Sequence, residues 1–172
     1  YDEELRNPAW VAYRLEYNPG GQTAERPHGF DTDTRTRSRV EHSDYTNTGY
    51  DRGHMAPNYA LGVVFGAEAQ TETFLMSNIV PQLPDLNRGP WKDFEQTVAR
   101  EYLERCEEIW VITGPLYSEP AKRLASGVAV PVAFFKILVD VIPGGSARAL
   151  ALVMPQKVGD EGLDEFLVSI DD

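Results

Sequence analysis

In Asp51-Arg52-Gly53-His54-Met55-Ala56-Pro57-Asn58, an arginine and a histidine stand two residues apart with one glycine between them. In an extended segment, residues two apart project to the same side. A fixed cation and a titratable imidazole would then face one small target together. Arginine suits a phosphate, and a neutral histidine suits proton abstraction near neutral pH. An anion-binding group beside a base is what phosphodiester hydrolysis needs.

Three further features could join that pair. Ser77-Asn78-Ile79 ends an apolar stretch, Asn87 sits in Pro-Asp-Leu-Asn-Arg-Gly-Pro, and Glu95 follows eight residues later. Taken singly, each has a plainer reading. Asn87 could be a turn residue, which is the commonest use of asparagine. Glu95 could be a solvated helix residue or a complement to a helix N-terminus. Arg52 could pair with Asp44 or Asp51. His28, His42 and His54 with the single Cys106 make no zinc-like cluster, and one cysteine forbids an internal disulfide.

The elements that must position these residues follow from the pattern. Residues 9–17 are β-prone and end in the turn Asn18-Pro19-Gly20-Gly21. Residues 22–50 are polar and read mostly as ordered loop, a length that is often functional. Residues 59–65 form a mixed apolar run, a short strand or a helix, residues 68–73 an exposed helical turn, and residues 74–80 a short strand followed by Pro81 and Pro84. Trp91, Phe94, Val98 and Tyr102 recur at helical steps, so an amphipathic helix of about four turns starts near Pro90. On one straight helix, Asn87 and Glu95 would lie about 12 Å apart. Pro90 between them therefore predicts Asn87 at or just before the helix start, with Glu95 reaching back. Residues 109–113 form a strand closed by Gly114-Pro115. Residues 128–142 and 149–154 are strands separated by Pro143-Gly144-Gly145-Ser146, and residues 163–170 are a short helix or strand. Strands outnumber helices without regular interleaving, which predicts an α+β fold with a mostly antiparallel sheet and a few helices packed on it.

With 172 residues and no repeat or linker, the chain reads most simply as one domain, 1–172. No run approaches the roughly 18 to 20 apolar residues of a membrane span. The formal net charge of −11 is the wrong sign for an ordinary nucleic-acid binder. Its distribution matters, however. Residues 26–52 hold five arginines (26, 35, 37, 39 and 52) against five acids, so the excess negative charge lies outside the segment leading to His54. A locally positive groove on an acidic body is compatible with that balance.

At this point the residues match a family. Asp-Arg-Gly-His at 51–54, with Asp44-Tyr45 and Gly49-Tyr50 before it, resembles the signature of the DNA/RNA nonspecific endonucleases of the ββα-metal (His-Me finger) superfamily, closest in pattern to endonuclease G-like nucleases. The likeness continues through Ser77-Asn78-Ile79-Val80-Pro81-Gln82, Asn87, Trp91 and Glu95, then Thr113-Gly114-Pro115-Leu116 and Val130-Pro131…Phe134-Phe135-Lys136. Tyr1 to Leu15 and Arg26…Phe30 look like the family's N-terminal portion, so the resemblance covers nearly the whole chain.

The resemblance implies a ββα-metal catalytic motif and an Mg²⁺-dependent (or Mn²⁺-dependent) nonspecific endonuclease. Such an enzyme cleaves DNA and RNA to 5′-phosphate and 3′-hydroxyl ends. His54 would be the general base, Asn87 the direct metal ligand, and Glu95 would hold a metal-bound water. Arg52 would contact the phosphate or fix the site, and Asn78 would position His54 or the scissile group. A further arginine is expected near the phosphate, Arg26 first, with Arg35, Arg37 and Arg39 behind it. The alternative is a non-catalytic nucleic-acid-binding or protein-interaction domain on the same fold. A homodimer and a proteinaceous inhibitor are the other partners implied.

Two departures bear on the site. Many relatives carry an arginine four residues after the glutamate. Here that position is Ala99, and Arg100 would be rotated by about 100° off that face of an α-helix. The family's continuation after the Val168-Ser169-Ile170 region is missing. The start at Tyr1 and the lack of intracellular targeting lean towards a secreted or periplasmic protein, with a mitochondrial one as the alternative.

Overall fold

The computed structural model describes residues 1–142 and 144–170. In chain order the elements are β1 (Val11–Glu16), β2 (Asp51–His54), α1 (Asn58–Phe65), α2 (Ala67–Glu72), β3 (Ile79–Gln82), α3 (Pro84–Arg88), α4 (Pro90–Thr97), a π-helical turn (Val98–Tyr102), α5 (Leu103–Cys106), β4 (Glu108–Leu116), β5 (Lys122–Arg123), β6 (Ala129–Val130), β7 (Ala133–Ile142), β8 (Ser146–Pro155) and β9 (Leu167–Val168). An antiparallel five-stranded sheet runs in the order β1-β4-β7-β8-β9, and β2-β3 and β5-β6 form two separate ribbons. The fold is α+β.

Alternation along the strands decides what the sheet covers. Ile109, Val111, Phe134, Leu138, Leu152 and Met154 point inward. They pack against Leu86, Trp91, Phe94, Val98 and Leu103 of the helical run. The stacking of Trp91 on Phe134, with ring centroids 5.6 Å apart, marks the centre of this interface. Trp110 and Ile112 lie on the opposite face and are exposed. A second cluster of Val40, Tyr45, Met76, Ile79 and Val128 closes the long N-terminal loop over the β2-β3 ribbon.

Several elements differ from expectation for local reasons. Residues 74–80 are not one strand: Met76–Asn78 is a 3₁₀ turn, and only Ile79–Gln82 is extended. The backbone N–H groups of Phe74 and Leu75 bond back to the Thr71 and Glu72 carbonyls, and Leu75 makes an isolated parallel bridge with Asp31 in place of an extended ladder. Residues 59–65 take the helical one of their two alternatives. Strand β4 runs through Gly114-Pro115 to Leu116 opposite β7, whereas its pairing with β1 ends at Thr113. Pro115 therefore sits where one neighbouring strand has stopped, which a proline tolerates. The expected strand 128–142 is split by Pro131 into β6 and β7. Residues 163–170 contain both alternatives in turn, a 3₁₀ turn and then β9. Of the turn predicted at 143–146, Pro143 lies outside the described residues. Gly144 and Gly145 both have positive φ.

The β2-β3 ribbon and the helices after it form a ββα unit. Asp51 pairs with Gln82, Gly53 with Val80, and His54 with Ile79. Gly53 is required there, because a Cβ would stand 2.1 Å from Gln82 Oε1 and 2.4 Å from Gln82 Cδ. Gly53→Ala is accordingly expected to cost about 1–3 kcal/mol in urea denaturation. The double variant with Gln82→Ala should recover much of that loss. A Gly53→Ala midpoint equal to the parent's would show that the close approach does not constrain the ribbon.

Candidate active site

The ββα unit opens onto a cleft of about 360 Å³ whose lining includes Arg26, His54, Tyr59, Asn87, Glu95 and Arg100. Strand β2 delivers His54 from one side, and α3 and α4 deliver Asn87 and Glu95 from the other. Asn87 ends a short helix of its own. Gly89 leaves helical geometry (φ −102, ψ −120) before Pro90 starts α4. Asn87 thus lies just before the main helix, where Pro90 had predicted it.

Aromatic rings clamp His54. Phe30 lies 5.4 Å away and tilted, and Phe74 lies 4.9 Å away and edge-on. The imidazole Nε2 is buried and accepts no hydrogen bond from the protein. Burial, with the nearby Arg26 charge adding to it, pushes the His54 pKa down to about 3. The ring is therefore neutral near physiological pH and carries an unused acceptor lone pair.

Asp51 organises Asn87. Its carboxylate accepts from Asn87 Nδ2 at 3.0 Å and from Arg88 Nε and Nη2 at 2.8 and 2.7 Å. Those bonds hold the Asp51 pKa below the ordinary carboxylate range. A carboxylate only accepts, so it must meet the donor end of the amide. Asn87 Oδ1 is thereby left for the cleft.

Glu95 is held by Lys136, whose Nζ donates to Oε1 at 2.7 Å and lies 4.1 Å over the Trp91 ring. Burial raises the Glu95 pKa and lowers that of Lys136, and each partner's charge opposes those shifts.

Arg52 and His54 do not face one target. Arg52 Nη2 donates to the His42 carbonyl at 2.6 Å and to Thr46 Oγ1 at 3.2 Å, and its guanidinium lies 5.7 Å from the Tyr45 ring. Its long side chain gains more from those acceptors than from sharing the face of His54. Arg52 braces the loop beneath the ribbon and is not among the cleft-lining residues.

Asn78 uses its whole amide on backbone. Oδ1 accepts from Ala56 N at 2.9 Å, and Nδ2 donates to the Ala56 and Thr73 carbonyls at 3.0 and 2.9 Å. It fixes the chain leaving His54. Of the candidate upstream arginines, Arg26 lines the cleft, 5.1 Å from the Phe74 ring. Arg35 is tied to Asp33 by two bonds, and Arg37 and Arg39 lie outside the cleft lining.

Arg100 corrects the sequence reading. The Leu103 N–H bonds to the Val98 carbonyl five residues back, so the helix carries one extra residue in that turn. Residues five apart then share a face, and Arg100 reaches the same cleft as Glu95. Asp51 and Lys136 were given no role from the sequence. The signal for Lys136 was present: it shares the inward face of β7 with Phe134 and Leu138, a lone charge in an apolar alternation.

A divalent cation suits these donors. Asn87 Oδ1 and the Glu95 carboxylate are hard oxygen donors lining one cleft. Among the described residues there is no group of three or more His, Cys, Asp or Glu able to hold a metal. Such a cation would keep waters and take substrate oxygens, as Mg²⁺ does. Among the same residues, no helix is long and apolar enough to cross a membrane.

The family model for DNA/RNA non-specific endonucleases matches residues 1–172, and the chain belongs to that family. It is 36% identical over 191 residues to the mouse (Mus musculus) protein "Nuclease EXOG, mitochondrial", covering 100% of this chain and 51% of that one. It is 32% identical over 187 residues to human "Endonuclease G, mitochondrial", covering 99% and 62%. To a "Nuclease" of Nostoc sp. it is 36% identical over 149 residues, covering 85% and 53%. The chain thus spans between half and two thirds of the length of these relatives. Its fold matches a chain in the crystal structure of an EndoG/EndoGI complex with a TM-score of 0.84 at 29% identity, covering 99% of this chain and 76% of that one. The mouse and human relatives are mitochondrial by name, and nothing in the comparison supports the export expected from the sequence.

The His54 environment has a thermodynamic consequence. Its folded pKa lies below the ordinary value near 6.5, so only the unfolded chain takes up this proton between about pH 6.5 and 3. The contribution to stability is complete above pH 6.5 and is lost as pH falls towards 3, on the order of a few kcal/mol. His54→Gln should flatten that part of the stability–pH curve in denaturant titrations. Parallel curves for parent and variant would contradict a buried, neutral His54.

Proposed function

We propose that residues 1–172 form the catalytic unit of a divalent-metal-dependent, sugar-nonspecific endonuclease that hydrolyses phosphodiester bonds of DNA and RNA. The observation that carries this reading is a neutral His54, held between Phe30 and Phe74, that lines one cleft with Asn87 and Glu95. A purely binding domain has no use for a desolvated base at the edge of a polar cleft. A catalyst does.

The neutral His54 imidazole takes the proton from the attacking water. Its low proton affinity belongs to a cleft in which Arg26 is the nearby charge. A phosphate diester docked between Arg26 and Arg100 offsets that charge and places an anion beside the ring. Both changes raise the imidazole's affinity for a proton as the reaction needs it. The hydrophobic walls of Phe30 and Phe74 hold the ring in one orientation. Asn78 fixes the backbone behind it, and Arg52 ties down the loop below. Asn87 and Glu95 would hold the cation, Mg²⁺ with Mn²⁺ as a substitute, which stabilises charge on the phosphate and the departing O3′. Attack in line with that bond leaves 5′-phosphate and 3′-hydroxyl ends.

The partners follow the same reading: DNA and RNA as substrates, and a protein inhibitor covering the cleft, in keeping with the EndoG/EndoGI complex. Assembly as a homodimer belongs to the same proposal. The names of the relatives favour a mitochondrial location over export.

Plasmid DNA incubated with the protein and Mg²⁺ should be nicked and then degraded, and EDTA should stop the reaction. His54→Ala should lower the rate by at least about 10²-fold while oligonucleotide binding persists. A cleavage rate unchanged by His54→Ala would remove His54 as the base, and metal-independent nicking would remove the metal.

A further inference from the structure

Arg26 reaches the cleft from residues 18–30, a strap after β1 that contains neither helix nor strand. The strap is tied at both ends. Asn18 Nδ2 donates to the Val63 carbonyl at 3.0 Å, and the Asp31 N–H donates to the Phe74 carbonyl at 3.1 Å. Between Gln22 and Phe30, among the described residues, one side chain alone hydrogen-bonds the strap to the body. Gln70 Oε1 accepts from the Ala24 N–H at 2.9 Å, and Gln70 Nε2 donates to the Ala24 carbonyl at 3.2 Å. Nε2 also stands 3.5 Å from Oδ1 of Asn58, which lines the cleft.

Gln70 is the buried residue of α2, at 2% exposure. Gly62 makes room for its amide, since a Cβ there would stand 2.6 Å from Gln70 Oε1 and 3.2 Å from Thr23 Cγ2. A buried amide costs free energy unless its bonds are made. Methionine, with similar volume and no such demand, would fill the same gap. Packing alone is therefore a poor reason for glutamine here. What the amide does supply is a fixed backbone position two residues before Arg26. The Arg26 guanidinium then lies 5.1 Å from the centre of the Phe74 ring. One short segment, 70–74, holds the strap by its backbone and meets the arginine with a ring.

We propose that Gln70 is the positioning residue for Arg26: its amide pins Ala24, so that the guanidinium is held in the cleft to meet the substrate's phosphate. The role rests on the nuclease reading and adds to it a residue that touches no substrate. Released from Gln70, the strap keeps its end tethers and loses its middle one. Arg26 then samples positions away from the cleft. A misplacement of about 1 Å can cost on the order of 10²-fold in rate, even when the substituted residue is remote from the chemistry.

The test is the affinity of the full chain for a fluorescein-labelled DNA duplex, read by fluorescence anisotropy in EDTA over a series of salt concentrations. Each phosphate contact adds about 0.9 to the steepness with which log K falls against log salt. Gln70→Met removes no charge, yet it should lower that steepness by about 0.9, as Arg26→Ala does. The double variant should lose no more than either single one. A packing role alone leaves the parent's steepness, because every cation is still present. Ala24→Pro removes the strap's N–H and leaves α2 untouched. It should act in the same direction, and it decides the matter where Gln70→Met does not fold. Amide exchange gives a direct reading, since the Ala24 N–H should lose its protection in Gln70→Met. In the presence of Mg²⁺, kcat/KM of Gln70→Met should fall by about 10- to 100-fold. A parent-like salt dependence in both variants, or a loss that adds to that of Arg26→Ala, overturns the role of Gln70. Absence of metal-dependent cleavage by the parent protein removes the nuclease reading itself. Normal parent cleavage with an unchanged salt dependence in the variants removes the positioning role alone.

Discussion

The site depends on one buried ion pair, Lys136 with Glu95. Strand β7 presents Lys136 on its inward face, and α4 presents Glu95 to it across the sheet–helix interface. Taking two charges out of water is costly, and an apolar pair of similar volume often packs there as well or better. Stability is therefore a poor reason to keep this pair. Its geometry offers a better one. Lys136, itself stacked on Trp91, occupies one Glu95 oxygen, and Glu95 lines the cleft. The carboxylate is positioned by the same core that packs the helix on the sheet. Breaking either partner would strand the other as an unpaired buried charge, so packing and chemistry are linked at this point.

Two departures from regular helix set the rest of the cleft. The break at Gly89 lets Asn87 belong to a separate short helix, where Asp51 can grip its amide nitrogen from strand β2. Asp51 thereby couples the ribbon that carries His54 to the helix that carries Asn87. The π-helical turn then returns Arg100 to the face of Glu95. Between these fixed points, His54 is kept neutral by desolvation, with the Arg26 charge adding to it and Phe30 and Phe74 as its walls. His54, Asn87, Glu95 and the cleft arginines come from different segments, and short interactions lock each segment in turn.

Much of this was legible in the sequence. The spacing of Trp91, Phe94, Val98 and Tyr102 gave the helix, and Pro90 implied that Asn87 precedes it. The order of motifs from Asp51 to Lys136 gave the family. What escaped was whatever depends on the third dimension or on a single inserted residue. No pattern marks a π-helical turn, so Arg100 counted as one step out of place. The reach of Arg52 is longer than the two-residue period that puts it beside His54, and backbone acceptors at 42–46 capture it. The strand assigned to residues 74–80 failed because Phe74 and Leu75 bond locally. Asp51 has Arg52 beside it in sequence, but its observed partner is Arg88, 37 residues away.

The central claim is that Asn87 and Glu95 frame one divalent-cation site opposite a neutral His54. A crystal structure of the protein grown with Mg²⁺ tests it most directly. The account predicts one ion within about 2.1 Å of Asn87 Oδ1, otherwise surrounded mainly by waters, with Glu95 holding one of them. An ion bound away from Asn87, or an Asn87 amide whose oxygen faces Asp51 instead of the cleft, would contradict it.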